Sequence, residues 1–259
     1  MSDPILLLFA VVNVVVTALF AGVVLRQYVR RHRAHQLYWA IGLGMAFLAT
    51  LAYICMVIVQ PASSTGSLLF RVYYILGAAL TSTWLGLGSL ALIASPRVTR
   101  ICLAIVCVLS VLAAVLIATA GIDTHALSHV AGTSGKGVLK SGPWVVTIII
   151  LNTLGVVAVA GVAIYSGWKL IRRQSTIGSF QASNVLWANV LILTGELLNA
   201  LAGFLAGILR VDSTFWLFMA LGWIVFFGGV LLAGHRTAAP RQVGASERQD
   251  EARRQLASS

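Results

Sequence analysis

The 259-residue chain predicts an all-α membrane protein with seven transmembrane helices. The first reason is composition: 59% of residues are hydrophobic, only 10% are charged, and the mean hydropathy is +0.94, a balance that no water-soluble domain of this size keeps dispersed. The second is that seven apolar runs are each long enough to cross about 30 Å of hydrocarbon at about 1.5 Å per residue. The third is that these runs are continuously apolar instead of alternating, so helices, which satisfy their backbone groups within each span, are preferred over barrel strands.

Taken in order, the spans fall near 5–26, 37–60, 68–94, 101–120, 144–168, 183–209 and 214–234. Span 1 is preceded by no basic segment and is too long for the core of a cleaved signal peptide, so it is expected to be retained. The longest loop, "GIDTHALSHVAGTSGKGVLKSGP", joins spans 4 and 5. Residues 1–235 therefore form one seven-helix membrane domain. Residues 236–259 form a basic, polar tail, expected to be disordered in its first half, with Asp250 and Arg254 able to support a final helical turn.

Of the 18 Lys and Arg residues, 14 lie on one side: Arg26 to Arg33, Arg97, Arg100, Lys169, Arg172, Arg173 and those of the tail. Arg71, Lys136, Lys140 and Arg210 lie on the other. The positive-inside rule then puts the N-terminus outside and the C-terminus in the cytoplasm, the arrangement of a multi-pass cell-membrane protein, here of a bacterial inner membrane. The net charge of +11 follows from this bias and implies contact with anionic lipid, not nucleic acid. Cys55, Cys102 and Cys107, an odd number within or beside spans, read as buried free thiols.

The halves of the chain echo each other. "NVVVTALFAGV" from Asn13 in span 1 parallels "NTLGVVAVAGV" from Asn152 in span 5, and each of these helices ends in paired arginines. "YWA" at 38–40 parallels "LWA" at 186–188, and "LG" at 76–77 parallels "LG" at 221–222. A parallel 3+1+3 repeat follows, in which spans 1–3 match spans 5–7 around span 4, with Asn13 over Asn152 and Trp39 over Trp187. Chance similarity among Leu, Ala, Val and Gly is the alternative.

Glu196, in "LILTGELLNALAGF", is the acidic residue at mid-membrane depth. An ionised carboxylate there costs several kcal/mol, so the group is expected to face the bundle, protonated or paired. Asn189, Glu196, Asn199 and Gly203 follow at helical spacing and mark one interior stripe, and Asn152 and Thr81 are the expected partners. Two readings stay open: a neutral acid that ties helices together, and a proton-coupling or ligand-binding group. In span 3, Tyr73, Gly77, Thr81, Trp84 and Gly88 form a second stripe. It reads either as close helix packing at the glycines or as an aromatic-walled pocket of Tyr73, Thr81 and Trp84. Arg71 is expected to snorkel or to pair with Asp212 or Asp123. In the long loop Asp123, His125 and His129 are weak metal-ligand candidates, since no third strong ligand completes a diagnostic spacing. Neither a phosphate loop nor a zinc-protease helix nor a Ser-His-Asp arrangement is present, so no enzyme is expected.

The seven spans with an outside N-terminus are similar in plan to microbial rhodopsins, whose retinal is held by a lysine in the last span. Span 7, "STFWLFMALGWIVFFGGVLLAG", has no lysine, so covalent retinal is excluded and no cofactor is expected. The 3+1+3 plan resembles SWEET-type carriers and PQ-loop proteins, but their Pro-Gln signature is absent and only a reversed "QP" occurs, at Gln60 and Pro61. "RVYYILGAAL…WLGLGSLAL" with "HQLYWAIGLGMAFLA" resembles uncharacterised bacterial seven-span proteins, a resemblance that covers spans 2 and 3 and implies no activity. Two functional expectations remain. One is a small-solute or proton-coupled transporter with an interior site around Glu196, Asn199, Asn189, Asn152 and Asn13. The other is a non-retinal membrane sensor or accessory subunit that binds an apolar ligand or a protein partner. Either can be oligomeric.

Overall fold

A computed structural model describes residues 4–174, 180–207 and 214–234. Helix α1 spans Pro4–Arg31, α2 Ala34–Ile58, α3 Ser64–Tyr73, α4 Thr81–Leu90, α5 Pro96–Thr119, α6 Thr124–Ser128, α7 Trp144–Gln174, α8 Phe180–Gly207 and α9 Phe215–Gly234. A seven-residue π segment, Tyr74–Leu80, joins α3 to α4 in one continuous span. Seven of these units are long and apolar enough to cross a membrane, so the chain is an all-α, seven-span protein. The helices overrun several predicted spans at their polar ends: α1 continues through Arg30 and Arg31, and α7 through Gln174. Hydropathy locates the hydrocarbon, whereas a helix continues until a cap or turn stops it. Such stops are legible at Ser63 and Ser95, whose hydroxyls accept from the Gly66 and Val98 amides, with Pro96 in the first turn of α5.

The spans pack as a ring in the order α1, α2, α3–α4, α7, α8, α9 and back to α1, while α5 lies outside it against the π segment, α4 and α7. The burial pattern is that of a bilayer protein. In α1, Ala10, Asn13, Thr17, Phe20 and Val24 are buried, while Leu8, Val11, Val15 and Leu19 are exposed one helical step away. The outward face is as apolar as the inward one, and the polar side chains are on the inside.

Glycines set how close neighbouring helices come. A Cβ on Gly86 would lie 2.8 Å from Gly155 Cα, and one on Gly195 would lie 2.5 Å from Phe226 N. The expectation of close packing in span 3 therefore holds, partly at a residue outside the predicted stripe. Gly77 meets Ala49, and Gly88 forms the notch that receives the Trp39 ring. Trp39 turns inward and donates from Nε1 to Leu85 O at 3.1 Å, whereas Trp187 is 58% exposed. The two tryptophans thus occupy different faces, and the expected Trp39–Trp187 equivalence is not found.

The long loop 121–143 is not a free solvated connection. Its ends pair, with Asp123 N donating to Val138 O at 2.8 Å and Lys140 N to Gly121 O at 2.9 Å. Leu127, Val130, Val138 and Leu139 are buried beneath it. Tyr53 bonds both Val130 O and Gly132 N, Tyr73 donates to Ser134 O, and Trp216 donates to Thr133 O, so α2, α3 and α9 all anchor this cap. Gly135 has φ +77°, and a Cβ there would lie 2.5 Å from Phe70, so the cap's close seat on α3 needs glycine at that position.

Candidate functional site

Two apolar clusters fill the ring. The first gathers Tyr53, Met56, Phe70, Tyr73, Trp144, Leu151 and Trp216 with the residues under the cap. The second, toward the opposite end, gathers Phe20, Val24, Leu43, Leu85, Trp223 and Phe226. Polar side chains lie between the two. On α1, Asn13 and Thr17 fall between Ala10 of the first cluster and Phe20 of the second; on the third span, Thr81, Ser82 and Thr83 fall between Leu80 and Leu85; on α7, Asn152 falls between Leu151 and Val159. Glu196 and Asn199 continue α8 past Ile192 of the second cluster. Counted along each helix from the capped end, Asn13, Asn152, Glu196 and Asn199 lie roughly 12–16 Å deep at 1.5 Å per residue, close to the middle of a bilayer.

Glu196 is 2% exposed and accepts a hydrogen bond from Ser82 Oγ at 3.3 Å. The expected inward orientation and the partner from span 3 are both found, but the residue is Ser82 and not Thr81 or Asn152. The π segment explains the difference. Its i→i+5 pattern takes up an extra residue, so the face that uninterrupted α-helical spacing assigns to Thr81 passes to Ser82. Thr81 instead turns back to Leu76 O at 2.8 Å, and Thr83 donates to Leu151 O of α7 at 2.9 Å. Asn152 supports the distortion by donating from Nδ2 to Ala78 O at 2.7 Å, within the π segment. Three consecutive hydroxyl residues are thus directed to three different partners: their own helix, α8 and α7.

The predicted stripe on α8 is only partly realised. Asn199 lies against Gly222 of α9, and neither of its amide atoms has a protein partner among the described residues. Asn189 lies on the side toward α7, and Gly203 is exposed. Asn13 is fully buried, also with both amide atoms unpartnered among the described residues. Buried amides without partners are costly and uncommon.

The aromatic pocket expected from Tyr73, Thr81 and Trp84 does not form. Tyr73 belongs to the cap-side cluster, with its ring 5.1 Å from that of Tyr53, and Thr81 bonds its own helix. Trp84 lies 6.4 Å from Tyr38, centroid to centroid. Arg71 caps the C-terminus of α5 by donating to Ile117 O, Ala118 O and Ala120 O, a cation placed at the negative end of a helix dipole. The expected pairing with Asp123 is not seen. Asp123 caps α6, accepting from His125 N at 2.9 Å and Ala126 N at 3.1 Å. The Ala126 and His125 amides hold its carboxyl below the usual carboxylate range. The His125 and His129 rings lie 5.0 Å apart, centroid to centroid, tilted at 41°, with His129 Nδ1 3.0 Å from His125 O, and no three-ligand metal cluster forms among the described residues. Asp212, Arg210 and the tail lie outside the described residues.

The fold and this layer define a multi-pass membrane protein with a polar centre closed between two apolar plugs. No family model, no curated protein and no solved structure matches the chain.

Proposed function

We propose that the protein is a proton-coupled or small-solute transporter in which Glu196 is the coupling group, here with both gates shut. The observation that carries this reading is the Glu196–Ser82 contact at mid-depth, placed between two buried apolar clusters. A carboxyl group is the side chain that can take and release a proton at that depth, and a bundle that shields it from both faces is what alternating access requires of an occluded state. Asn13 and Asn199 supply amide donors and acceptors for a polar solute at the same level. In the π segment Leu76 O and Ala78 O accept side-chain bonds from Thr81 and Asn152, and such segments are frequent at functional sites.

The test uses proteoliposomes loaded with a pH-sensitive dye under an imposed proton gradient and challenged with amino acids, sugars and small organic ions. The expected result is proton movement that depends on one solute class and disappears in Glu196→Gln, with the melting temperature of that variant unchanged. Proton movement that persists in Glu196→Gln would remove Glu196 from the coupling role. A sensor reading is favoured by one observation: the cap is bonded to α2, α3 and α9 together, so a ligand that displaced it would act on three spans at once. On that reading Glu196→Gln is silent and Tyr53→Phe alters the response.

A further inference from the structure

The cap carries two exposed histidines one turn of chain apart. His125 lies within α6 and His129 just past its end, the spacing that sets two side chains over one face of a helix. Their ring centroids are 5.0 Å apart. Two imidazoles bound side by side to one metal ion at about 2.0–2.1 Å per nitrogen, with an angle of about 90–110° between the two bonds, hold their centroids roughly 4.5–5.2 Å apart. The pair already stands at that separation.

The His129 ring is also held in the form that a metal ion requires. Its Nδ1 lies 3.0 Å from His125 O and 3.0 Å from Ser128 Oγ, and Ser128 Oγ donates to the same carbonyl at 2.7 Å. A carbonyl oxygen only accepts, so Nδ1 carries the proton and Nε2 of the neutral ring keeps its lone pair. A metal-binding imidazole ordinarily gives its other N–H to a carbonyl in this way, which fixes both its tautomer and its orientation. Among the described residues no group bonds His129 Nε2 or either nitrogen of the His125 ring. The turn beneath is set as well: Asp123 accepts from the His125 and Ala126 amides, and Leu127, between the two histidines, is buried.

We propose that His125 and His129 form a two-histidine site for a divalent transition-metal ion of the zinc, nickel or copper class, with water in its remaining positions. Imidazole suits these ions, whereas Mg²⁺ and Ca²⁺ prefer oxygen ligands. Once one ring is bound, the other ligates within the molecule, at the high effective concentration that a shared turn gives. A bound ion ties the turn that leads directly into Val130, whose carbonyl accepts from Tyr53 of α2 and from Thr133. It thereby fastens the cap where the cap is seated on the bundle, and the site is independent of what the Glu196 layer does.

The experiment titrates the full chain, purified in detergent without a polyhistidine tag, with NiCl₂, ZnCl₂ and MgCl₂ by calorimetry. Ni²⁺ and Zn²⁺ should bind at a site that depends on both rings, and Mg²⁺ should not. His125→Asn and His129→Asn should each weaken the binding at least about tenfold, since even the loss of a group that only orients a ligand costs about 10–100-fold. His32→Asn combined with His35→Asn, on the other pair of closely spaced histidines, should bind as the wild-type protein does. Saturating Zn²⁺ should raise the melting temperature of the wild-type protein, because the ion binds the folded turn, and leave that of His129→Asn unchanged. Binding that survives unweakened in either His125→Asn or His129→Asn would overturn the two-histidine site, as would binding lost instead with His32 and His35, or matched by Mg²⁺. A melting temperature that Zn²⁺ leaves unmoved in the wild-type protein, or raises equally in His129→Asn, would overturn the fastening of the cap.

Discussion

At Ser82 and Glu196 the chemistry depends on one hydroxyl and one carboxyl brought together from residues 114 apart in sequence. Ser82→Ala removes the donor and leaves the buried acid short of a partner, which should lower stability by about 1–3 kcal/mol. Ser82→Thr should retain most of it. Thermal unfolding of the two variants in the same detergent checks the difference. Gly155 offers a sharper contrast because a second glycine on the same helix serves as its control. A Cβ on Gly155 would run into the Ser82 backbone, whereas a Cβ on Gly161 meets nothing within 4 Å. Gly155→Ala should therefore cost about 1–3 kcal/mol as α4 and α7 are pushed apart, and Gly161→Ala should stay within about 0.5 kcal/mol. Glu196 was legible from sequence because a carboxylate in an apolar run stands out. Ser82 was not, since serine in a span is ordinary and its direction depends on a backbone irregularity.

At the scale of elements, the π segment decides what the third span presents. No residue in "YILGAAL" announces a π turn; the segment has no Pro, and its Ala78 O accepts from Asn152 of another helix. Asn152→Leu should remove that hydrogen bond to Ala78 O and favour a return to the α-helical ladder. That return would rotate Thr81 toward α8 in place of Ser82. The expected outcome is a loss of about 1–3 kcal/mol together with a changed environment for Glu196, read as a shift of its carboxyl infrared band. An unshifted band would show that the π segment stands without Asn152. The α8–α9 pair follows a simpler rule: Gly195, Gly222 and Gly229 let backbones approach where a side chain would collide, as small residues do between helices in membranes.

For the whole molecule, the expected topology and the cap can be tested together. Ser134, in the loop expected outside, is buried and its carbonyl accepts from Tyr73, so it is a poor reporter of sidedness; Lys136 is exposed on the same loop. With the three native cysteines replaced, an impermeant thiol reagent added to intact cells should label Lys136→Cys and not Ser246→Cys. The reverse pattern would invert the membrane orientation. In the same background Ser134→Cys should label slowly, and Tyr53→Phe should speed it several-fold, because Tyr53 bonds Val130 O and Gly132 N across the cap. The ring runs α1–α2–α3/α4 and then α7–α8–α9, with α5 outside it. The opposite facing of Trp39 and Trp187 means that any 3+1+3 duplication does not extend to those side chains.

The sequence by itself determined the solvent of this protein, the number and helical type of its membrane spans and the depth of its one mid-membrane acid. Each of these follows from properties that act locally: the cost of apolar surface in water, the length needed to cross hydrocarbon, and the cost of a charge within it. Tertiary structure alone decided that Ser82 faces Glu196, that Arg71 caps α5, that Asp123 caps α6, and that the long loop is folded onto the bundle by Tyr53, Tyr73 and Trp216. Every one of those contacts depends on where a side chain points, and that direction is set by helix register, by the π segment Tyr74–Leu80 and by glycines that admit a neighbouring backbone. Hydropathy averages over these features, because inside a bilayer the lipid-facing and the packed surfaces are equally apolar.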